Sequence, residues 1–100
     1  MAGIFAALGD PTRTSLLSRL VKEGRGTATS LTGAADISRQ AVDRHLRVLA
    51  EAGLVESRRE GREVVYAVRP QTLERSAAWL SELGNSWERR LHDLKALAEA

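Results

Sequence analysis

A mainly α-helical fold with one small β-hairpin is predicted for this chain by three observations. Apolar residues recur at three- and four-residue steps through most of its length. One stretch, residues 54–68, is instead rich in β-branched and aromatic residues on both sides of Gly61. Glycine and proline punctuate the chain at Gly9, Pro11, Gly24, Gly26, Gly53 and Pro70, and so divide it into short elements. A single domain of about five helices follows from this pattern and from a length of 100 residues.

The elements are read in order. Ile4, Phe5 and Leu8 form a short apolar stripe that predicts a first helix, ended by Gly9. Asp10-Pro11 predicts the start of a second, because Asp is a strong N-cap and Pro is favoured at the first helical position. Leu16, Leu17, Leu20 and Val21 mark its inner face, and Gly24 and Gly26 close it. A short third helix is expected from near Thr29, with Leu31, Ala34 and Ala35 as its apolar points. Ile37 then falls in a turn, and Ser38 is the expected N-cap of a fourth helix over residues 39–52. Val42, Leu46 and Leu49 give that helix its inner face, and Gly53 ends it with a left-handed cap.

Residues 54–68 form the expected hairpin, ended by Pro70, which opens the last helix over 71–98. Leu73, Ala77, Leu80, Gly84, Trp87, Leu91, Leu94 and Ala98 follow alternating steps of four and three, as on the seam of a coiled-coil-like helix. Such a helix is roughly 40 Å long, more than one small core can cover. Gly84 costs about 1 kcal/mol of helix propensity relative to Ala and marks either a kink or a close approach of two backbones.

Composition removes several function classes. The chain has no cysteine, which excludes disulfides, thiolate metal ligands and thiol nucleophiles. No stretch has the length needed to span a bilayer. Met1-Ala2-Gly3-Ile4-Phe5 is not the pattern of a secretory signal, so the cytoplasm is the expected compartment. The residues contain no nucleophile–base set and no glycine-rich phosphate loop, so no enzyme is expected. The net charge is only +2, yet all basic residues except Lys22 and Lys95 are arginine, the side chain suited to forked recognition of phosphate and guanine.

A short helix, a tight turn and a longer polar-faced helix make a helix-turn-helix over residues 29–53, and the hairpin at 54–68 adds a wing. The predicted architecture is therefore a winged helix-turn-helix occupying residues 1–100. The outer face of the fourth helix carries Arg39, Gln40, Asp43, Arg44 and Arg47 in its N-terminal half, the end that enters the major groove. Arg can fork onto guanine, Gln onto adenine, and Asp can accept from the cytosine amine. Arg58, Arg59 and Arg62 lie on or beside the hairpin tip, where a wing meets phosphates. The same charges also suit a merely solvated face, and Glu56, Glu60 and Glu63 dilute the positive field at the tip.

Leu8-Gly9-Asp10-Pro11-Thr12-Arg13, the run from Ser38 to Leu49, Ala52-Gly53-Leu54-Val55 and Arg58-Arg59-Glu60-Gly61-Arg62 together resemble the ArsR-type winged-helix repressors. The match runs from about residue 4 to residue 70, and the Trp-containing last helix is similar to one subgroup. The resemblance implies a dimeric repressor of double-stranded DNA. It places Ser38, Arg39, Gln40, Asp43 and Arg44 at DNA-reading positions and builds the dimer from the first and last helices. Asp43 departs from the pattern, since the family often has Ser there; a carboxylate near phosphates is repulsive unless it meets a cytosine amine.

The metal sites of many such repressors do not carry over. Their thiolate pair is replaced by Ser30-Leu31-Thr32-Gly33-Ala34-Ala35, and His92-Asp93 with Glu88 and Glu99 supplies too few nitrogen ligands for zinc. No cofactor or metal is expected. His92 reads as a surface residue and His45 as half-packed beside Leu49. Trp87 falls on the seam and Trp79 off it, so Trp79 is free to pack back on the domain. The predicted homodimer interface comprises Ile4, Phe5, Leu8, Leu80, Gly84, Trp87, Leu91 and Leu94. Two other readings remain open at this point: a winged helix used as a protein-interaction module, and a repressor that answers to a metal or small ligand.

Overall fold

A computed structural model describes residues 2–34 and 36–99. Its helices are α1 (Ala2–Leu8), α2 (Pro11–Glu23), α3 (Ala28–Leu31), α4 (Arg39–Glu51) and α5 (Pro70–Glu99), with a 3-10 turn at Thr32–Ala34 between α3 and α4. The strands β1 (Val55–Glu60) and β2 (Glu63–Val68) pair antiparallel. The five helices and the hairpin are those the sequence predicts. Ala35, expected as an apolar point of the third helix, lies outside the described residues, as does the side chain of Ala34.

Local chemistry sets the boundaries. Asp10 takes an extended backbone, and its Oδ1 accepts from the N–H groups of Thr12 at 2.8 Å and Arg13 at 3.1 Å, which caps α2. These bonds, with the Arg13 backbone donor foremost, hold the Asp10 carboxyl below the ordinary carboxylate range. The third helix begins slightly earlier than expected, because Thr27 and Ser30 form a capping box around its first turn. Ser38 caps α4 by accepting from the Ala41 N–H at 3.2 Å. Gly53 has φ +81°, the left-handed conformation expected after α4. The hairpin turns through Gly61-Arg62, with Gly61 at φ +62°, as a two-residue turn of the primed kind requires at its first central position.

The core lies where α2, α3, α4 and the hairpin meet. Leu16 and Leu20 of α2, Leu31 of α3, and Val42, Leu46 and Leu49 of α4 are fully buried, together with Leu54 and Val55 where the hairpin begins. Each such Leu contributes about 1.5–3 kcal/mol through burial. The main chain of Gly26 pairs with Tyr66 on the free edge of β2, accepting at 2.8 Å and donating at 3.0 Å, and so ties the hairpin to the end of α2.

The termini depart from the sequence reading in one respect. Ile4 and Leu8, which the sequence assigns to the dimer interface, are both half-buried against the core of their own chain. Their short helix folds down onto α2 and α4, so only part of the stripe remains open. Phe5 meets Trp79 at 5.3 Å between ring centroids, and Trp79 therefore does pack back on the domain. The start of α5 docks through Thr72 and Ser76, which are buried, and through half-buried Leu73. Ser76 Oγ donates to the Thr72 carbonyl at 2.8 Å, which satisfies the buried hydroxyl.

Beyond Trp79 α5 leaves the body. It runs through Gly84 without interruption, and every residue from 77 to 99 is exposed. At 30 residues it is about 45 Å long, which accounts for much of the molecule's 67 Å longest dimension. A methyl group added at Gly84 would meet nothing within 4 Å in the same chain. No helix of the described residues is long and apolar enough to cross a membrane.

Candidate nucleic-acid interface

The outer face of α4 carries the predicted reading residues because the inner face is spent on the core. Val42, Leu46 and Leu49 point inward, and Arg39, Gln40, Arg44 and Arg47 are left exposed. With Asp43 and Ala28 of α3, these four line one shallow groove. The structure thus brings together all the predicted residues of α4 itself. Ser38 is exposed but stands outside that lining, and its hydroxyl is engaged as the helix cap. It sets where α4 starts and which N–H groups stay free at its positive end.

Asp43 behaves differently from its neighbours. Its Oδ2 pairs with Arg47 Nη2 at 2.7 Å, an i,i+4 ion pair, and its Oδ1 lies 3.5 Å from the donating hydroxyl of Tyr66 on β2. Burial, and next the Asp43 carboxylate, pushes the Tyr66 phenol above its usual range. Both carboxylate oxygens therefore have partners inside the chain. This lowers the capacity of Asp43 to accept from a base and softens its repulsion of phosphate. Arg47 remains largely exposed, with side-chain accessibility of 69%, so the pair is weak and can open to a phosphate.

The hairpin separates the three wing arginines. Residues directly opposite in the register share a face, and successive residues alternate. Arg59 thus shares a face with Ser57, Val64 and Tyr66, and Tyr66 reaches Asp43 on α4. Arg58 takes the other face with Glu56 and Glu60, against the end of α2. There Arg25 Nη2 pairs with Glu60 Oε1 at 2.8 Å, a contact sequence reasoning missed because it joins positions far apart in the chain. Arg62 stands exposed at the turn.

Most of the exposed apolar side chains lie elsewhere, although Val48 of α4 and Val64 of β2 are exposed too. Val21, expected on the inner face of α2, is 59% exposed because it falls past the edge of the face that Leu16, Leu17 and Leu20 bury. Leu80, Leu83, Trp87, Leu91, Leu94 and Leu97 of α5 range from 45% to 74% exposed. Leu83 and Leu97, absent from the predicted interface, widen the apolar stripe beyond its two-residue seam. His92 and Asp93 sit on the outer side of this helix near Asn85, Glu88 and Arg89. Among the described residues, no three His, Asp or Glu side chains gather closely enough to hold a metal ion.

Comparison with known proteins gives a consistent set of relatives. A family model described as a helix-turn-helix domain matches residues 8–58. The transcriptional repressor SdpR of Bacillus subtilis is 30% identical over 91 residues, which cover 91% of this chain and 100% of that protein. The chain spans about half the length of the arsenic and mercury resistance regulators that it also matches. Among solved structures, an ArsR-like transcriptional regulator from Rhodococcus sp. RHA1 superposes with a TM-score of 0.83 at 40% identity, covering 97% of this chain and 91% of that one. A homodimeric winged helix-turn-helix DNA-binding domain from Mycobacterium bovis superposes at 0.68 and 25% identity, covering 84% of this chain and 77% of that one.

Proposed function

This chain belongs to the ArsR-type winged helix-turn-helix transcriptional regulators, and we propose that it is a homodimeric repressor that reads a palindromic operator in double-stranded DNA. The observation that carries this reading is the groove on α4, where exposed Arg39, Gln40, Arg44 and Arg47 converge beside the hairpin. Gln40 and Arg44 read base edges in the major groove. Arg39 and Arg47 sit at the margins of the same face and meet the backbone, Arg47 by exchanging Asp43 for phosphate. Ser38 acts as the cap that presents the helix start, and Asp43 as a brace to the wing. The repressor works in the cytoplasm, and no reaction is assigned to it.

The dimer joins the exposed faces of α5 and what remains open on α1. Leu80, Gly84, Trp87, Leu91 and Leu94 lie at its centre, with Phe5 alongside Trp79, and Ile4 and Leu8 at the edge. A large apolar stripe on a helix whose last 23 residues, 77–99, are all exposed supports an obligate partner, and the homodimeric Mycobacterium bovis domain supports a second copy as that partner. Gly84 has room for the close approach of another backbone.

Salt dependence tests the DNA reading, and the hairpin faces sharpen it. Arg59→Ala and Arg62→Ala are each expected to lower the slope of log affinity against log salt by about 1.8, because about 0.9 is lost per phosphate contact and each substitution acts in both protomers. Arg58→Ala is expected to leave the slope unchanged, since Arg58 lies on the face of Glu56 and Glu60. Titration of a fluorescent duplex at several salt concentrations measures both. A slope that none of the three changes would remove the hairpin from the interface.

A further inference from the structure

The recognition helix is held on its two flanks by different elements. Asp43 and His45 are two residues apart and so stand about 200° apart around the axis of α4. The Asp43 flank faces the hairpin. The His45 flank faces α2, where Arg13 Nη1 lies 3.3 Å from His45 Nδ1. A guanidinium can only donate, so in this contact Nδ1 is the acceptor, a role open to it in the tautomer that carries the proton on Nε2. The Nε of the same arginine donates to the Ala7 carbonyl at 2.6 Å. Ala7 is buried in the last turn of α1, where carbonyls have no partner within the helix. The backbone N–H of Arg13 is fixed in turn by the Asp10 carboxylate. One side chain thereby touches the end of α1 and the flank of α4 from the first turn of α2. It is not among the residues lining the reading groove.

We propose that Arg13 is a positioning residue that fixes the roll of the recognition helix relative to α1. Through it, the two halves of the dimer present their reading faces at one set angle. The inference rests on the DNA-reading function proposed above. A roll of about 10° moves a side chain roughly 6 Å from the helix axis by about 1 Å, enough to misalign Gln40 and Arg44 with base edges. Close packing at Val42, Leu46 and Leu49 seats the helix in its place, and directional bonds on its flanks set its angle more finely than apolar contacts, which are not directional. The planar fork of an arginine can serve two acceptors in fixed directions, whereas a lysine ammonium is a point charge on a flexible stem.

The test compares operator and random-duplex affinities of four variants, with helicity and dimer content measured alongside. Arg13→Lys keeps the charge and loses the fork. His45→Ala removes the acceptor and leaves the Arg13–Ala7 bond. His45→Asn places an amide oxygen near the position of Nδ1. The expected result is a roughly tenfold loss of operator affinity for Arg13→Lys and for His45→Ala, with random-duplex affinity unchanged. The double variant Arg13→Lys/His45→Ala is expected to be no weaker than Arg13→Lys alone, because that substitution already breaks the link to His45, and His45→Asn is expected to recover most of the loss of His45→Ala. Wild-type affinity in Arg13→Lys, or fully additive losses in the double variant, would overturn the role. If Arg13→Lys does not fold, the pair at His45 decides: equal operator affinities for His45→Ala and His45→Asn overturn it. A wild-type protein that prefers no duplex would sink the DNA-reading function together with this inference. A discriminating wild type with indifferent variants would sink this inference alone.

Discussion

Leu91→Glu is expected to yield monomers at micromolar concentration and to weaken operator binding by at least a hundredfold. Leu91 is 45% exposed in the single chain and lies on α5 between Trp87 and Leu94, which are 57% and 52% exposed. In a two-fold interface every substitution acts twice, so the burial of two leucines is lost, about 1.5–3 kcal/mol each. Two carboxylates must also be desolvated without a partner, which adds to the cost. Because 1.4 kcal/mol is a factor of ten, these losses together exceed a hundredfold in the dimer equilibrium. Glu82→Ala, on the opposite side of the same helix, should leave both dimer and operator affinity unchanged. Sedimentation with circular dichroism separates the outcomes. A folded monomer, or an unfolded chain if the dimer is obligate, agrees with the interface; a folded dimer with full operator affinity would place it elsewhere.

The second large effect concerns specificity. Gln40→Ala and Arg44→Ala are each expected to reduce discrimination between operator and random DNA by about 1–3 kcal/mol per half-site, so roughly thirtyfold or more in the dimer. Both side chains are exposed and neither has an intramolecular partner in the hydrogen bonds and ion pairs of the described residues, so neither supports the fold. Random-duplex affinity should change less, because it rests on phosphate contacts from the other arginines. Parallel titrations on an operator duplex and a scrambled one give the ratio. Equal losses on both would reassign these residues from base reading to the backbone.

The elements were legible in the sequence wherever a boundary has its own local chemistry. Asp10-Pro11, Ser38 and Gly53 each act within a few residues of themselves, and each stands where it was read. The outer face of α4 was legible for the same reason, since helical periodicity alone separates Arg39, Gln40, Arg44 and Arg47 from Val42, Leu46 and Leu49. What the sequence hides is long-range pairing. Tyr66 meets Asp43 from 23 residues away, and Arg13 meets His45 from 32 away. Nothing local to either residue announces its partner. The docking of α5 was hidden too: Thr72 and Ser76 are polar, and they are buried because Ser76 spends its hydroxyl on the helix's own carbonyl. The opposite faces of Arg58 and Arg59 follow from strand alternation, yet the sequence alone does not say which face turns toward α4.

Selection of duplexes from a random pool by the purified protein, with the mass of the selected complex measured, tests the central claim most directly. The expected result is one enriched sequence with two-fold symmetry, its half-sites about one DNA turn, roughly 34 Å, apart, bound by two protomers and released by added salt. A pool with no enriched sequence, or an asymmetric site bound by a single protomer, would contradict it.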